Sequence, residues 1–130
     1  MRQMRARRPD NAKDDRAFSS GVKCRDGWVC RLEVWTGRSY AECGSKGSPM
    51  NPIDAAHIYP RNQCGPIKFE IVVGLAACRD HHDLYDRHDD SVRVPLKREH
   101  TAFKAINLAS KVPIARRMPP SRPLAGEKSA

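Results

Sequence analysis

The large apolar side chains of this chain gather in its middle, and both ends are charged. Residues 1–16 carry six basic and three acidic side chains, and residues 111–130 carry five basic and one acidic. Residues 1–20 are too polar to build a core and read as a disordered basic segment. Residues 113–130 hold Pro113, Pro119, Pro120 and Pro123 with few large apolar groups, and read as a flexible tail. One compact unit remains, residues 21–112 of a chain of 130. A unit of that size has a thin core, and a bound metal or partner would help to hold it together.

The formal net charge is +9, with most of the excess in the two ends around a nearly balanced body. Basic ends suit a polyanion, bound through release of its counterions; the plainer role for such ends is solubility. The opening MRQMRARRPDNAKDDR has no apolar stretch, so a secretory signal is not expected. No run approaches the roughly 18 apolar residues of a membrane span. A cytoplasmic, non-secreted protein with no membrane partner is the expectation. Its five cysteines, an odd number, are then reduced thiols or metal ligands rather than a disulfide framework.

Within the unit, Trp28 to Trp35 is rich in β-branched and aromatic residues and fits either a strand or an entry helix. Trp28 and Trp35 are expected in the core. Cys43 to Pro49 is turn chemistry. Ile53 to Tyr59 reads as a strand ended by Pro60, Arg61 to Pro66 as a loop, and Ile67 to Val73 as a second, antiparallel strand. Cys78 to Arg87 reads as a helix with Leu84 inward, and Asp89-Asp90 as the turn or solvated pair beyond it. Val92 to Pro95 is a short extended piece. Glu99 to Lys111 reads as a further helix with Phe103, Ile106 and Leu108 toward the body. His88 and His100 are expected in solvent. The class is α+β, with a strand–strand–helix unit at its centre.

That unit carries chemistry. The first strand holds Asp54-Ala55-Ala56-His57-Ile58-Tyr59-Pro60-Arg61, and the helix begins Cys78-Arg79-Asp80-His81-His82-Asp83-Leu84-Tyr85-Asp86. His82 and Asp86 are four apart on one helix face, a spacing at which imidazole and carboxylate can share a divalent cation. His57 would stand opposite and could take a proton from water. A base facing a metal in a basic protein suits hydrolysis of a phosphodiester. Alone, a histidine in an apolar strand is more often a satisfied core residue, and the helix pair changes that reading.

DAAHIYPRN followed by VVGLAACRDHHDLYD resembles the HNH endonuclease family over about residues 38–95, closest to its small phage and bacterial forms. The resemblance implies a ββα-metal (His-Me finger) fold, here with an additional C-terminal helix and basic tails. It implies a metal-dependent DNA endonuclease that nicks or cuts with little sequence reading. His57 matches the general base, His82 the metal-binding helix histidine, and Asp86 a further ligand. Arg61 matches the basic residue that contacts the scissile phosphate. The cation would be Mg, Mn, Ni or Zn. Lys68, Arg79, Arg116 and Arg117 join Arg61 as expected DNA contacts. By analogy alone, partners from phage packaging or mobile elements are implied, with the protein a monomer or homodimer.

Two positions depart from the family pattern. Ala56 stands where many members place a metal-binding Asp or His, and Asp54 is the expected substitute. Val73 stands near the position of the family's Asn. The departures support an alternative: a weak or inactive, zinc-braced nucleic-acid-binding module on an HNH scaffold. Many members also brace the finger with a zinc on two CxxC knuckles. Cys78-x-x-His81 resembles one knuckle and Cys43 the end of the other, whose partner position is Tyr40. Cys30 is the preferred fourth ligand of such a structural zinc, ahead of Cys24 and Cys64. The plainer reading is small buried thiols without metal.

Overall fold

A computed structural model describes residues 9–109. The expectations for residues 1–8 and for the tail from 113 onward, with Arg116 and Arg117, lie outside the described residues.

The expected disordered start is corrected first. Residues 9 to 25 form helix α1 (Pro9–Arg25). Phe18 and Val22, four apart on one face, are buried and dock the helix on strand β4 (Gly74–Cys78). The approach is close because β4 opens with glycine. A Cβ on Gly74 would lie 2.5 Å from Val22 and 2.6 Å from Phe18. Two apolar side chains in a charged stretch thus suffice when the opposing backbone has nothing in their way.

Strands β1 (Glu33–Trp35), β2 (Tyr40–Glu42) and β5 (Val92–Arg93) form an antiparallel sheet in the order β2-β1-β5. Strand β3 (Ile53–His57) pairs with β4 antiparallel, from Ile53 opposite Cys78 to His57 opposite Gly74. A single helical turn, α2 (Arg61–Cys64), follows β3 where a loop was expected. Helix α3 (Arg79–Asp86) starts at the residue after β4, and α4 (Leu96–Ala109) closes the described chain. The described residues make a small mixed α+β unit of four helices and two small sheets. None of its helices is long and apolar enough to cross a membrane.

The second strand of the central unit lies later than expected. Ile67 to Val73 is taken up by 3-10 turns at Gly65–Ile67 and Ile71–Val73, and the strand is Gly74–Cys78. All five residues of β4 are buried, so the strand lacks the alternation that marks a half-exposed one. Its Gly-Leu-Ala-Ala-Cys sequence also lacks β-branched residues.

Trp28 is not in the core but half exposed. Gly27 and Trp28 turn the chain through the left-handed region, at φ of 71° and 60°, and carry the indole outward under Lys23. Trp35 is half-buried, edge-on to Tyr40. Leu84 is half-buried, while its neighbour Tyr85 packs against the core. In α4, Ala102 and Ile106 are buried and Phe103 packs against them, but Leu108 is 89% exposed, two positions round the helix from Ile106. His88 and His100 are exposed.

A buried carboxylate ties three elements together. Asp26 accepts hydrogen bonds from Arg25, from Arg98 of α4 at 2.7 Å and from the backbone N–H of Ala76 in β4 at 2.9 Å. Burial alone would raise its pKa. The two guanidinium groups and the amide outweigh burial and hold it at about 2. Arg25 continues to the carbonyls of Ile71 and Gly74.

Candidate functional site

Two adjacent histidines on α3 face different surroundings. His81 turns toward sulfur. Cys30, Cys43, Cys78 and His81 place their ligand atoms all within 4.8 Å of one another, and this cluster could hold a metal such as zinc. The ligands come from three places: the approach to β1, the end of β2, and the junction of β4 with α3. The loops that present them are fixed by backbone bonds, with Cys30 N–H donating to Ser45, Gly44 N–H to Cys30 and Cys43 N–H to Leu32. Cys78 Sγ lies 3.3 Å from His81 Nδ1.

The donor set suits a cation. Burial pushes the Cys30 thiol up to about 12, against N–H groups of Cys78 and Leu32 that point at its sulfur and favour the thiolate. The nearby sulfurs of Cys78 and Cys43 act with burial against ionisation. The Cys30 thiol thus resists ionising without a cation, and a divalent metal would reverse that balance. Among the other cysteines, Cys64 is buried in the core and Cys24 is exposed, so neither joins the cluster.

His82 turns the other way, into a cleft of about 640 Å³ that is also lined by His57, Arg61, Tyr85 and Asp86. His57 ends β3. Its Nε2 lies 2.8 Å from the backbone carbonyl oxygen of Lys68. A carbonyl can only accept, so Nε2 carries the hydrogen and Nδ1 keeps the lone pair. The imidazole stacks on Phe18 of α1, with ring centres 4.4 Å apart and planes inclined by 14°. Burial holds the His57 pKa below the ordinary 6.5, helped by Arg61 and His82 and opposed by the Lys68 carbonyl and Asp15. His57 is therefore neutral at neutral pH and able to accept a proton.

His82 lies between two carboxylates. Its Nδ1 is 3.1 Å from Asp54 and its Nε2 is 3.4 Å from Asp86. Neighbouring ligands of one small cation lie about 3 Å apart when its bonds are near 2.1 Å. Nε2 and Asp86 thus fit a shared ion. Asp54, expected as a further ligand, sits at the opposite ring nitrogen, Nδ1. It is also paired with Arg79, whose Nη2 and Nε lie 3.0 and 3.3 Å from its two oxygens. Burial raises the Asp54 pKa, but Arg79 and then His82 lower it more.

Arg61 and Lys68 both place their cations over Phe69, at 5.2 and 5.5 Å from its ring centre. Arg61 also pairs with Asp15 of α1 at 3.3 Å. These two bases stand on the His57 side, whereas Arg79 is held by Asp54. Ala56 is buried, so the residue before His57 offers no ligand to the cleft. Val73 is buried too, and its carbonyl accepts the N–H of Ile58, the residue after His57. Sequence reasoning missed Phe18 and Asp15, which lie in the stretch read as disordered; a lone aromatic among charges was the available signal. No family model, curated protein or solved structure matches this chain.

Proposed function

We propose that the chain is a metal-dependent endonuclease of the HNH type that hydrolyses DNA phosphodiester bonds with low sequence specificity. The reading treats β3, β4 and α3 as the finger. The observation that carries it is the meeting of a neutral His57 with His82 and Asp86 on one cleft. His57 Nδ1, free of the hydrogen that Nε2 gives to Lys68, takes the proton from an attacking water. Phe18 and the Lys68 carbonyl keep the ring from turning while it does so. Arg61 neutralises the phosphate beside it. His82 Nε2 and Asp86 would hold a divalent cation (Mg, Mn, Ni or Zn), which supplies charge stabilisation for the phosphoryl and leaving oxygens. The Cys30, Cys43, Cys78 and His81 cluster would brace the finger with zinc. Basic residues outside this cleft add sequence-independent affinity for DNA.

One observation favours the second reading, a nucleic-acid-binding module with little or no turnover. With Ala56 in the core and Asp54 on the far ring nitrogen, His82 and Asp86 are the protein ligands this reading has for a catalytic cation.

A supercoiled plasmid decides between them. Wild type with Mg, Mn or Ni should nick it, and EDTA should stop the reaction. His57→Ala should slow cleavage about 10²–10⁴-fold, the usual loss of a general base, while DNA binding survives. A wild type that binds but never nicks supports the binding module. Unchanged cleavage in His57→Ala removes His57 as the base.

A further inference from the structure

We infer that Asp54 and Arg79 form a positioning pair: Asp54 holds the ring hydrogen of His82 on Nδ1, and Arg79 holds Asp54. The inference rests on the reading above for its purpose, because it explains how His82 comes to offer Nε2 to a cation. Its geometry stands independently of cleavage.

A neutral imidazole has one N–H and one lone pair. An ionised carboxylate only accepts. Both ring nitrogens face a carboxylate, but Asp54 is the closer, hydrogen-bonded to Nδ1 at 3.1 Å against 3.4 Å from Nε2 to Asp86. Asp54 therefore favours the form with hydrogen on Nδ1 and leaves the lone pair on Nε2, toward the cleft. Metal-binding histidines are commonly aimed in this way by a carboxylate on the other ring nitrogen. Here that carboxylate is itself fixed by a two-point contact with Arg79, which planar guanidinium and carboxylate groups make well.

The local structure explains why these three meet. Arg79 and His82 are three apart and share a face of α3. The first turn of α3 is tied to the segment before β3, with Arg79 N–H donating to Pro52 and Asp80 N–H donating to Asn51. That anchoring sets both side chains over Asp54 of β3. Arg79 is then a clamp rather than the DNA contact the sequence suggested, since its guanidinium is occupied within the protein.

The test uses the full chain labelled with ¹⁵N, observed above the ordinary titration range of histidine, with the His82 ring assigned from a His82→Gln spectrum. Wild type should show hydrogen on Nδ1. In Asp54→Asn an amide can donate to Nδ1, so the hydrogen should move to Nε2. Manganese binding, read by electron paramagnetic resonance without DNA, should weaken about 10–100-fold. Arg79→Gln, a change at an exposed side chain, should give a mixture of the two ring forms and an intermediate manganese affinity. Its DNA binding should keep the salt dependence of wild type. Hydrogen on Nε2 in wild type, or wild-type ring signals in both variants, would overturn the inference. A shallower salt dependence in Arg79→Gln would return Arg79 to the DNA surface and break the pair. A wild type that never nicks a plasmid yet shows the expected ring forms keeps the inference and fails only the nuclease reading.

Discussion

His81 and His82 are one residue type, one position apart, on one helix, and they face opposite kinds of surroundings. Adjacent helix positions are turned by about 100°, so the two rings look out on different neighbours. His81 meets three sulfurs, two of them buried, in a closed set of four donors. His82 meets two carboxylates at the wall of an open cleft, and one of them, Asp86, has a side chain 64% exposed. The chemistry of each histidine is set by what the rest of the fold brings to it. A closed sulfur set holds a cation as structure; an open nitrogen–oxygen pair leaves room for water and phosphate.

The largest expected effect breaks this contrast into two phenotypes. Cys78→Ser opens the sulfur set and should lower the melting temperature by roughly 10 °C or more, with loss of bound zinc. His82→Ala should abolish nicking yet melt within about 2 °C of wild type, because it removes no core contact. Metal analysis and thermal melting of both variants check this. A wild type that purifies without zinc, paired with a Cys78→Ser protein that melts normally, would erase the structural half of the comparison.

A disturbance that belongs to neither side should harm both equally. Asp26→Ala leaves Arg25, Arg98 and the Ala76 N–H without their shared acceptor, and should cost about 3–5 kcal/mol. The acid dependence has a definite sign. The folded-state pKa of about 2 lies below the ordinary 3.8, so the stabilisation is present above about pH 4 and is lost as pH falls through 2. It amounts to about 2 kcal/mol. The stability gap between wild type and Asp26→Ala in urea melts should therefore narrow by about 2 kcal/mol as pH falls from about 5 to below 2, and a gap of constant size at every pH would contradict this role.

The smallest effect sharpens the open side alone. Asp15 pairs with Arg61 and helps to keep His57 basic. Asp15→Asn should release Arg61 for phosphate and strengthen DNA binding a few-fold. It should also shift the acid limb of the cleavage profile to lower pH, because Asp15 raises the His57 pKa. Zinc content should not change. An acid limb that stays in place would show that Asp15 does not act on His57.

How much of this could be read beforehand varies with the kind of signal. The Cys78-x-x-His81 spacing is local, and helix geometry converts it directly into two neighbouring donors. His82 and Asp86 are legible for the same reason. The strand through His57 has an apolar run that Pro60 stops. By contrast, β4 is buried throughout and, apart from Leu75, made of small residues, so its pattern resembles a turn of helix as much as a strand. Phe18 looked like an isolated aromatic because the surface that covers it lies at Gly74, more than fifty residues away in the chain. Asp26 carries no signal at all, since a carboxylate beside Arg25 is ordinary until Arg98 and Ala76 arrive. Asp54 could be offered as a substitute for Ala56 from its strand face, but which nitrogen of His82 it meets is a matter of angle, and spacing does not encode angle.

The sulfur cluster also bears on how the chain reaches this state. Cys78 and His81 are one helical turn apart and can take a cation as soon as that turn forms. Cys30 and Cys43 flank the β1–β2 hairpin and are the next closest pair. Joining the two pairs closes the longest loop, from β2 to the end of β4, and the entropy cost of closure grows only slowly with its length. A cation captured early by the local pair would then recruit the hairpin, converting a search between distant segments into capture by an anchored partner. Without that anchor the same pairing depends on non-local contacts alone, the kind that make folding slow.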